Sequence, residues 1–333
     1  MSMAWALSGG GASMRFGVVG NINIDFVLRG ERLPEEGETL VADELHVFAG
    51  GKAANQAVAA RRLGAEVSIV GCLGADDLGD RALGLLQAAG VDASCVARTE
   101  RCHTGAAMVF VARSGRNSIV TALGANDDPD GTQDAVGRAI AALRTADAVL
   151  VQLGVPATVV DQVIGLCASS GTPVYLDPTP IRPSLPELWR SVALIAPNET
   201  EAQALVGGSR ATGPGEARAV AERLVAAGVG AAVVKLGAAG CAVAADGRTV
   251  HVPGVAVDVV DTTAAGDAFM AALAVARTEG ADWVEAARFA NCAGGLAATK
   301  LGAQPSLPSR HEVDALYLHG PSVALHAHHR PEG

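Results

Sequence analysis

Between Asp261 and Asp267 the chain reads Asp-Thr-Thr-Ala-Ala-Gly-Asp, small residues set between two carboxylates just where a helix-forming run begins. A helix predicted from about Gly266 brings the backbone N–H groups of Ala264, Ala265 and Gly266 toward its N-terminus. There the first amides lack intrahelical partners and the helix dipole is positive. Only small side chains let a phosphate approach that closely. Asp267 lies in the same pocket and can take a proton from an attacking hydroxyl. Amides where charge accumulates, together with a base, are what phosphoryl transfer requires. The competing reading is an acid that merely favours a helix N-terminus. Its weight depends on the other motifs.

Three more motifs carry chemistry. Ala49-Gly-Gly-Lys-Ala-Ala-Asn55 has the Gly-Lys pair of a Walker A loop, but His46 stands where that loop needs glycine and Ala53 where it needs Ser or Thr. The opening strand has one glycine at its turn and lacks the dinucleotide fingerprint, which argues against a dehydrogenase. Gly50 and Gly51 can instead bring backbone close to a polyol, with Lys52 and Asn55 offering donors at a helix start. Asn23 and Asp25, two apart on an extended segment, point the same way and can grip vicinal hydroxyls; each pair also suits a solvated or capping role. Asn198 and Glu201 have the spacing of an N-cap with its reciprocal glutamate, and equally of a pair that organises Mg2+ through water. In Val-Val-Lys235-Leu236-Gly237-Ala-Ala-Gly240, the glycines end a strand in a turn suited to lie against a nucleotide, or in a plain tight turn.

The elements that must position these residues follow a simple rhythm. Apolar runs of four to six residues, without polar alternation, alternate with Ala-rich helical stretches. Such runs suit parallel strands buried on both faces of a doubly wound sheet. Ala-Ala-Gly and Ser-Ser-Gly before the next element read as glycine helix stops. Two regions break the rhythm, residues 26–48 and 104–123. Each contains a turn between strand-like pieces, read as antiparallel strands that form a small separate sheet over one edge of the main domain, as a lid.

Of 333 residues, 50% are hydrophobic, enough for one large α/β core. The formal charge of −10, with no basic stripe or aromatic ladder, argues against nucleic acid as a partner. An anionic nucleotide must then be held by local positive potential from amides, a lysine and a metal. No signal-like or membrane-spanning run is found, so the expectation is a cytoplasmic protein that does not engage membranes. The six scattered cysteines read as reduced thiols.

Taken in order, these motifs, with Leu-Gly-Ala-Asn-Asp-Asp at 123–128 and Lys-Leu-Gly-Ala-Gln-Pro-Ser-Leu-Pro at 300–308, resemble the ribokinase-like (PfkB) family of carbohydrate kinases. The resemblance implies a three-layer α/β/α doubly wound, mostly parallel sheet with a small β-sheet lid. The domain spans residues 16–315, with flexible tails at 1–15 and 318–333. It implies ATP, Mg2+ and K+ as cofactors and a sugar as substrate, D-ribose first. The alternatives are fructose or a related ketose, a nucleoside, or a non-catalytic sugar-binding regulator. By resemblance, Asp267 is the base beside the amides of Ala264, Ala265 and Gly266, while Asn23, Asp25, Gly51, Lys52 and Asn55 contact the sugar. Asn198, Glu201, Lys235, Leu236, Gly237, Gly240, Gly266 and Asn291 take the nucleotide and its magnesium. Asp261, Thr263, Ala297, Lys300, Gly302 and Ser306 surround potassium, mostly through carbonyls. A homodimer through the lid is also implied. This chain departs from the family pattern at Gly154, where a sugar-contacting carboxylate is usual. Gly154 is read as room beside the sugar, and Lys235 and Asn291 also replace the usual residues.

Overall fold

The computed structural model describes residues 13–113, 117–181, 191–207 and 210–320. The expected tails lie outside this set except at 13–15 and 318–320, as does the turn at 114–116. Arg15 already opens the first strand, and Leu318 and His319 close the last helix.

The unbroken apolar runs become the main sheet: β1 Arg15–Val19, β4 Glu66–Gly74, β5 Val96–Thr99, β8 Ala148–Gln152, β9 Val174–Asp177, β10 Leu194–Ile195, β11 Ala232–Lys235, β12 Cys241–Ala245 and β13 Arg248–Val252. A second sheet holds β2 Asn23–Gly30, β3 Glu44–Gly50, β6 Gly105–Ala112 and β7 Asn117–Ala122. The main order is β13-β12-β11-β10-β9-β8-β1-β4-β5. Neighbours from β5 to β11 run parallel, and β12 and β13 add an antiparallel edge. Sequence patterning did not find β5, β12 or β13. The first is short and carries Arg98, and the other two form a hairpin outside the βα rhythm.

The helices between strands are α1 Lys52–Arg62, α2 Asp77–Ala88, α3 Pro129–Thr145, α4 Ala157–Ser170, α5 Glu199–Val206, α6 Pro214–Ala226, α7 Ala265–Thr278, α8 Trp283–Ala297 and α9 Arg310–His319. They cover both faces of the sheet, because successive side chains of each strand point to opposite sides. Val18 and Leu150 join the core under α1, α7 and α8. Val19, Val149 and Val151 join the one under α3, α4 and α6. Each such side chain contributes about 1.5–3 kcal/mol by leaving water. The glycine stop is visible at Gly171, which ends α4 in the left-handed conformation (φ 74°).

In the lid, β2–β3 and β6–β7 are antiparallel, as expected of the two pieces, but β2 and β6 join them in parallel. Between β3 and β6 the chain passes through α1, β4, α2 and β5, long enough to re-enter the lid in the original direction. β1 leads directly into β2, and β3 into α1, so the lid departs from the carboxyl end of the main sheet, where α/β sheets bind ligands.

Candidate active site

At the head of α7, Ala264 is the N-cap with φ 61°, a left-handed conformation that costs a residue with a Cβ and recurs where backbone must point at a ligand. Ala268 is the first helix N–H to bond one turn back, to the Ala264 carbonyl at 2.9 Å. The Ala265 amide is not free as expected: it donates to Thr262 at 3.2 Å, because the turn closes on itself before the helix starts. Among the described residues, Ala264, Gly266 and Asp267 keep N–H groups without a backbone acceptor. Gly266 leaves the approach to them open.

Asp267 is buried (4% exposed) within a polar cluster. Its Oδ2 accepts from Asn55 Nδ2 at 2.9 Å, its Oδ1 accepts from Gln56 Nε2 at 3.2 Å, and Lys52 Nζ lies 3.8 Å away. Lys52, Asn55 and Gln56 share one face of α1 through their three- and four-residue spacing. Asp177, at the end of β9 and fully buried, accepts from Lys52 at 3.2 Å and Gln56 at 3.0 Å on Oδ2. Its Oδ1 accepts from Thr179 Oγ1 at 3.1 Å and faces Lys235 Nζ at 3.7 Å.

Burial raises the Asp267 pKa; Lys52 pulls it down and the Asp177 charge pushes it up, leaving it above the ordinary value. Burial acts the same way on Asp177, but the Lys235 and Lys52 ammoniums outweigh it and hold Asp177 ionised. Asp25 has no such cation, and burial together with the Asp267 charge pushes it up to about 7. The result is one firmly ionised carboxylate between two lysines, and two neighbours able to take up a proton.

Toward the lid, glycines admit the backbone. Gly51 has φ 88°, and a Cβ there would lie 2.6 Å from the Asn21 carbonyl oxygen. One at Gly50 would meet the Asp25 carboxylate at 2.0 Å. Asn23 Oδ1 accepts from Asn126 Nδ2 at 2.9 Å, and Asn126 also accepts from the Ile22 N–H at 2.8 Å. Asn126 therefore sets the start of β2. Three buried acceptors of this region, Asp25 Oδ1, Asn55 Oδ1 and Gln152 Oε1, have no hydrogen-bond partner. Gln152 belongs to the cluster through its amide, which donates to Gln56 Oε1 at 2.5 Å. Unmet buried acceptors are costly and rare. Three of them in one region fit a ligand rich in hydroxyl donors.

The residues expected at the nucleotide divide. Lys235 ends β11 and the Gly237–Gly240 turn follows it, where Gly240 (φ 89°) lets the turn lie against Gly254. Leu236 does not present its side chain; it is buried in the core, and its N–H donates to the Gly240 carbonyl at 2.8 Å. Asn198 and Glu201 form the reciprocal cap of α5, and Glu201 Oε1 also accepts from the Thr179 hydroxyl. Asn291 Nδ2 donates to the Pro253 carbonyl at 3.0 Å and so anchors the loop after β13.

Around the expected potassium site, Asp261 Oδ1 accepts from the Thr263 N–H and hydroxyl, and Oδ2 from the Gly302 N–H at 2.9 Å. Its own N–H donates to the Ala298 carbonyl at 3.2 Å. These bonds tie the 261–263 turn to the segment after α8. Ala297 accepts from the Lys300 N–H at 3.4 Å, and Ser306 donates to Ala303 at 2.7 Å. The Lys300 ammonium turns away to Glu312 at 2.8 Å.

Gly154 does not leave the room read from the sequence. A Cβ there would lie 2.9 Å from both Cβ and Cγ of Asn21, so Asn21 fills that corner. Sequence reasoning also missed Asp177, Gln56, Gln152 and Asn126. Gln56 had a usable signal, four residues after Lys52 on the same helix. Asp177 had only its place at the end of a parallel strand, 125 positions from Lys52.

The family model for pfkB family carbohydrate kinases matches residues 16–310. The chain is 37% identical over 303 residues to a ribokinase of Bacillus subtilis, covering 90% of this chain and 98% of that protein. It is 36% identical over 296 residues to a ribokinase of Haemophilus influenzae, covering 89% and 96%. The solved structure of Arabidopsis thaliana ribokinase complexed with ribose and ATP superposes with a TM-score of 0.82 at 35% identity, covering 92% of this chain and 99% of that one.

Proposed function

Because the chain belongs to the pfkB family of carbohydrate kinases, we propose that it transfers the γ-phosphoryl group of ATP to the primary hydroxyl of D-ribose, giving ribose 5-phosphate. The observation that carries the sugar end is that three buried acceptors around the Asp267 cluster, Asp25 Oδ1, Asn55 Oδ1 and Gln152 Oε1, have no donor. Sugar hydroxyls supply them. The primary hydroxyl gives its proton to Asp267, its oxygen bonds to the γ-phosphorus, and the bond to the β,γ-bridging oxygen breaks to release ADP. The amides of Gly266 and Asp267 hold the oxygens on which charge grows. The sheet of β2, β3, β6 and β7 covers the sugar and keeps water from taking the phosphoryl group.

Magnesium, when bound, neutralises phosphate charge. Both Glu201 oxygens already accept protein hydrogen bonds, so Glu201 fits a magnesium held through water and not by direct ligation. Among the described residues no cluster of three or more His, Cys, Asp or Glu could hold a metal. The 261–263 turn, tied by Asp261 to the 297–306 segment, is where backbone carbonyls would hold potassium. Activity in potassium salts should exceed that in sodium salts, and equal rates would remove potassium from the scheme. Met108 and Val120, paired across two lid strands on one face, are exposed, as is Ile119 on the other face, and these apolar groups support pairing of two copies through the lid.

A substrate panel at fixed ATP tests the reading. Ribose should turn over fastest, and negligible ribose turnover beside rapid fructose or adenosine turnover ends the ribose assignment. The Asn21 side chain at Gly154 weighs against a nucleoside in that corner. Asp267→Asn should lower turnover by about 10²–10⁴-fold with sugar affinity largely kept. Near wild-type turnover in that variant would remove Asp267 as the base, whereas an unaltered chain that binds sugar but turns none over would favour the regulator.

A further inference from the structure

Lys235 ends β11 with its side chain 13% exposed and its ammonium 3.7 Å from Asp177 Oδ1, beyond hydrogen-bond range. No acceptor for its N–H donors is found among the described residues. The same nitrogen lies 3.9 Å from where a Cβ on Gly266 would stand, so it sits at the mouth of the free amides of α7. A cation beside the positive end of a helix is electrostatically unfavourable unless an anion occupies the space between them. Asp177 opposes that repulsion from one side only. It is fully buried, bonded on Oδ2 to Lys52 and Gln56, and cannot move to close the gap.

Resting on the kinase reading, we propose that Lys235 is a catalytic residue that donates to a non-bridging oxygen of the phosphoryl group in flight, and that Asp177 is the positioning residue that holds Lys235 and Lys52 on either side of the transfer path. Lys52 faces the sugar and base, 3.8 Å from Asp267, and Lys235 faces the amides. As the hydroxyl oxygen bonds to phosphorus and the bridging oxygen departs with ADP, negative charge on the moving group stays between Lys235 and the α7 amides. The proton goes to Asp267 and not to Asp177, because Asp177 is hydrogen-bonded to the Lys52 ammonium and has the Lys235 ammonium 3.7 Å from its other oxygen. The Asp177 charge in turn strengthens Asp267 as a proton acceptor.

The test is steady-state kinetics on the full chain with ATP and the best sugar of the panel. Lys235→Met should lower kcat by about 10- to 100-fold, the range for losing one charged hydrogen bond, with the sugar KM within about twofold. Lys235→Arg should recover most of the loss. Asp177→Asn should lower kcat and move the acidic limb of the kcat–pH profile to lower pH, since Asp267 loses a neighbouring negative charge. A wild-type kcat in Lys235→Met, an Arg variant as impaired as Met, or an acidic limb that stays in place in Asp177→Asn would each overturn the proposal. If Lys235→Met does not fold, Lys235→Gln is expected to give the same loss of kcat, and a wild-type kcat there overturns the proposal too. An unaltered chain that phosphorylates no sugar defeats the kinase reading itself, whereas an active chain with an equally active Lys235→Met defeats this inference alone.

Discussion

Asp25→Asn replaces a carboxyl whose proton affinity is set by its position on β2. In the fold it lies on a lid strand against Gly50, with Oδ1 unpartnered and Asp267 nearby, and burial with that charge raises its pKa from 3.8 to about 7. The native state therefore holds this proton more tightly than the unfolded chain. The contribution to stability is fully present below pH 3.8 and is withdrawn as pH rises through about 7. Between about pH 5 and pH 8 the linkage amounts to about 2–3 kcal/mol, reduced to about 1–2 kcal/mol by water at the open end of the site. The assay is urea unfolding of the sugar-free protein and of Asp25→Asn across that range. The variant should gain on the wild type as pH rises, because it has no charge to bury. Sugar hydroxyls that donate to the carboxylate favour its ionised form, so sugar affinity should climb toward pH 7 in the wild type and stay flat in the variant. A stability difference that does not change with pH would refute the environment assigned to Asp25.

Gly51→Ala should destabilise by about 2 kcal/mol or more, read as a lower unfolding midpoint, because φ is 88° and the new Cβ would meet the Asn21 carbonyl at 2.6 Å. Gly154→Ala should weaken sugar binding by displacing Asn21, and Asn21→Gly in the same chain should restore it. A coupling of about 1 kcal/mol or more in that double-mutant cycle is expected, and additive effects would dissociate the two residues.

The layered fold was legible because its signal is local: most buried parallel strands are apolar runs, and most helices end within two residues of a glycine, as α4 does at Gly171. The strand β5 escaped because it is four residues long and carries Arg98, and the β12–β13 hairpin because it adds no new βα repeat. At the site, the head of α7 could be located from Ala264, Ala265, Gly266 and Asp267, but the hydrogen bond that removes the Ala265 amide depends on how the turn closes. The role of Gly154 was misread for a similar reason. An absent side chain looks like room in a sequence, whereas the space belongs to whichever neighbour packs there, and Asn21 does.

Alone, the sequence determined the sheet class and singled out the start of α7 and Asp267 as the residues to test, since strand and helix signals are local and the ordered set of motifs along the chain marks that turn. Only the tertiary structure decided how charge is shared around that base. Asp177 is brought to Lys52 and Lys235 by the order of β8, β9, β10 and β11 in the sheet, and their burial together keeps one carboxylate ionised while Asp267 and Asp25 are pushed toward the proton. Proton affinity follows distance and solvation, and neither exists until the chain has folded.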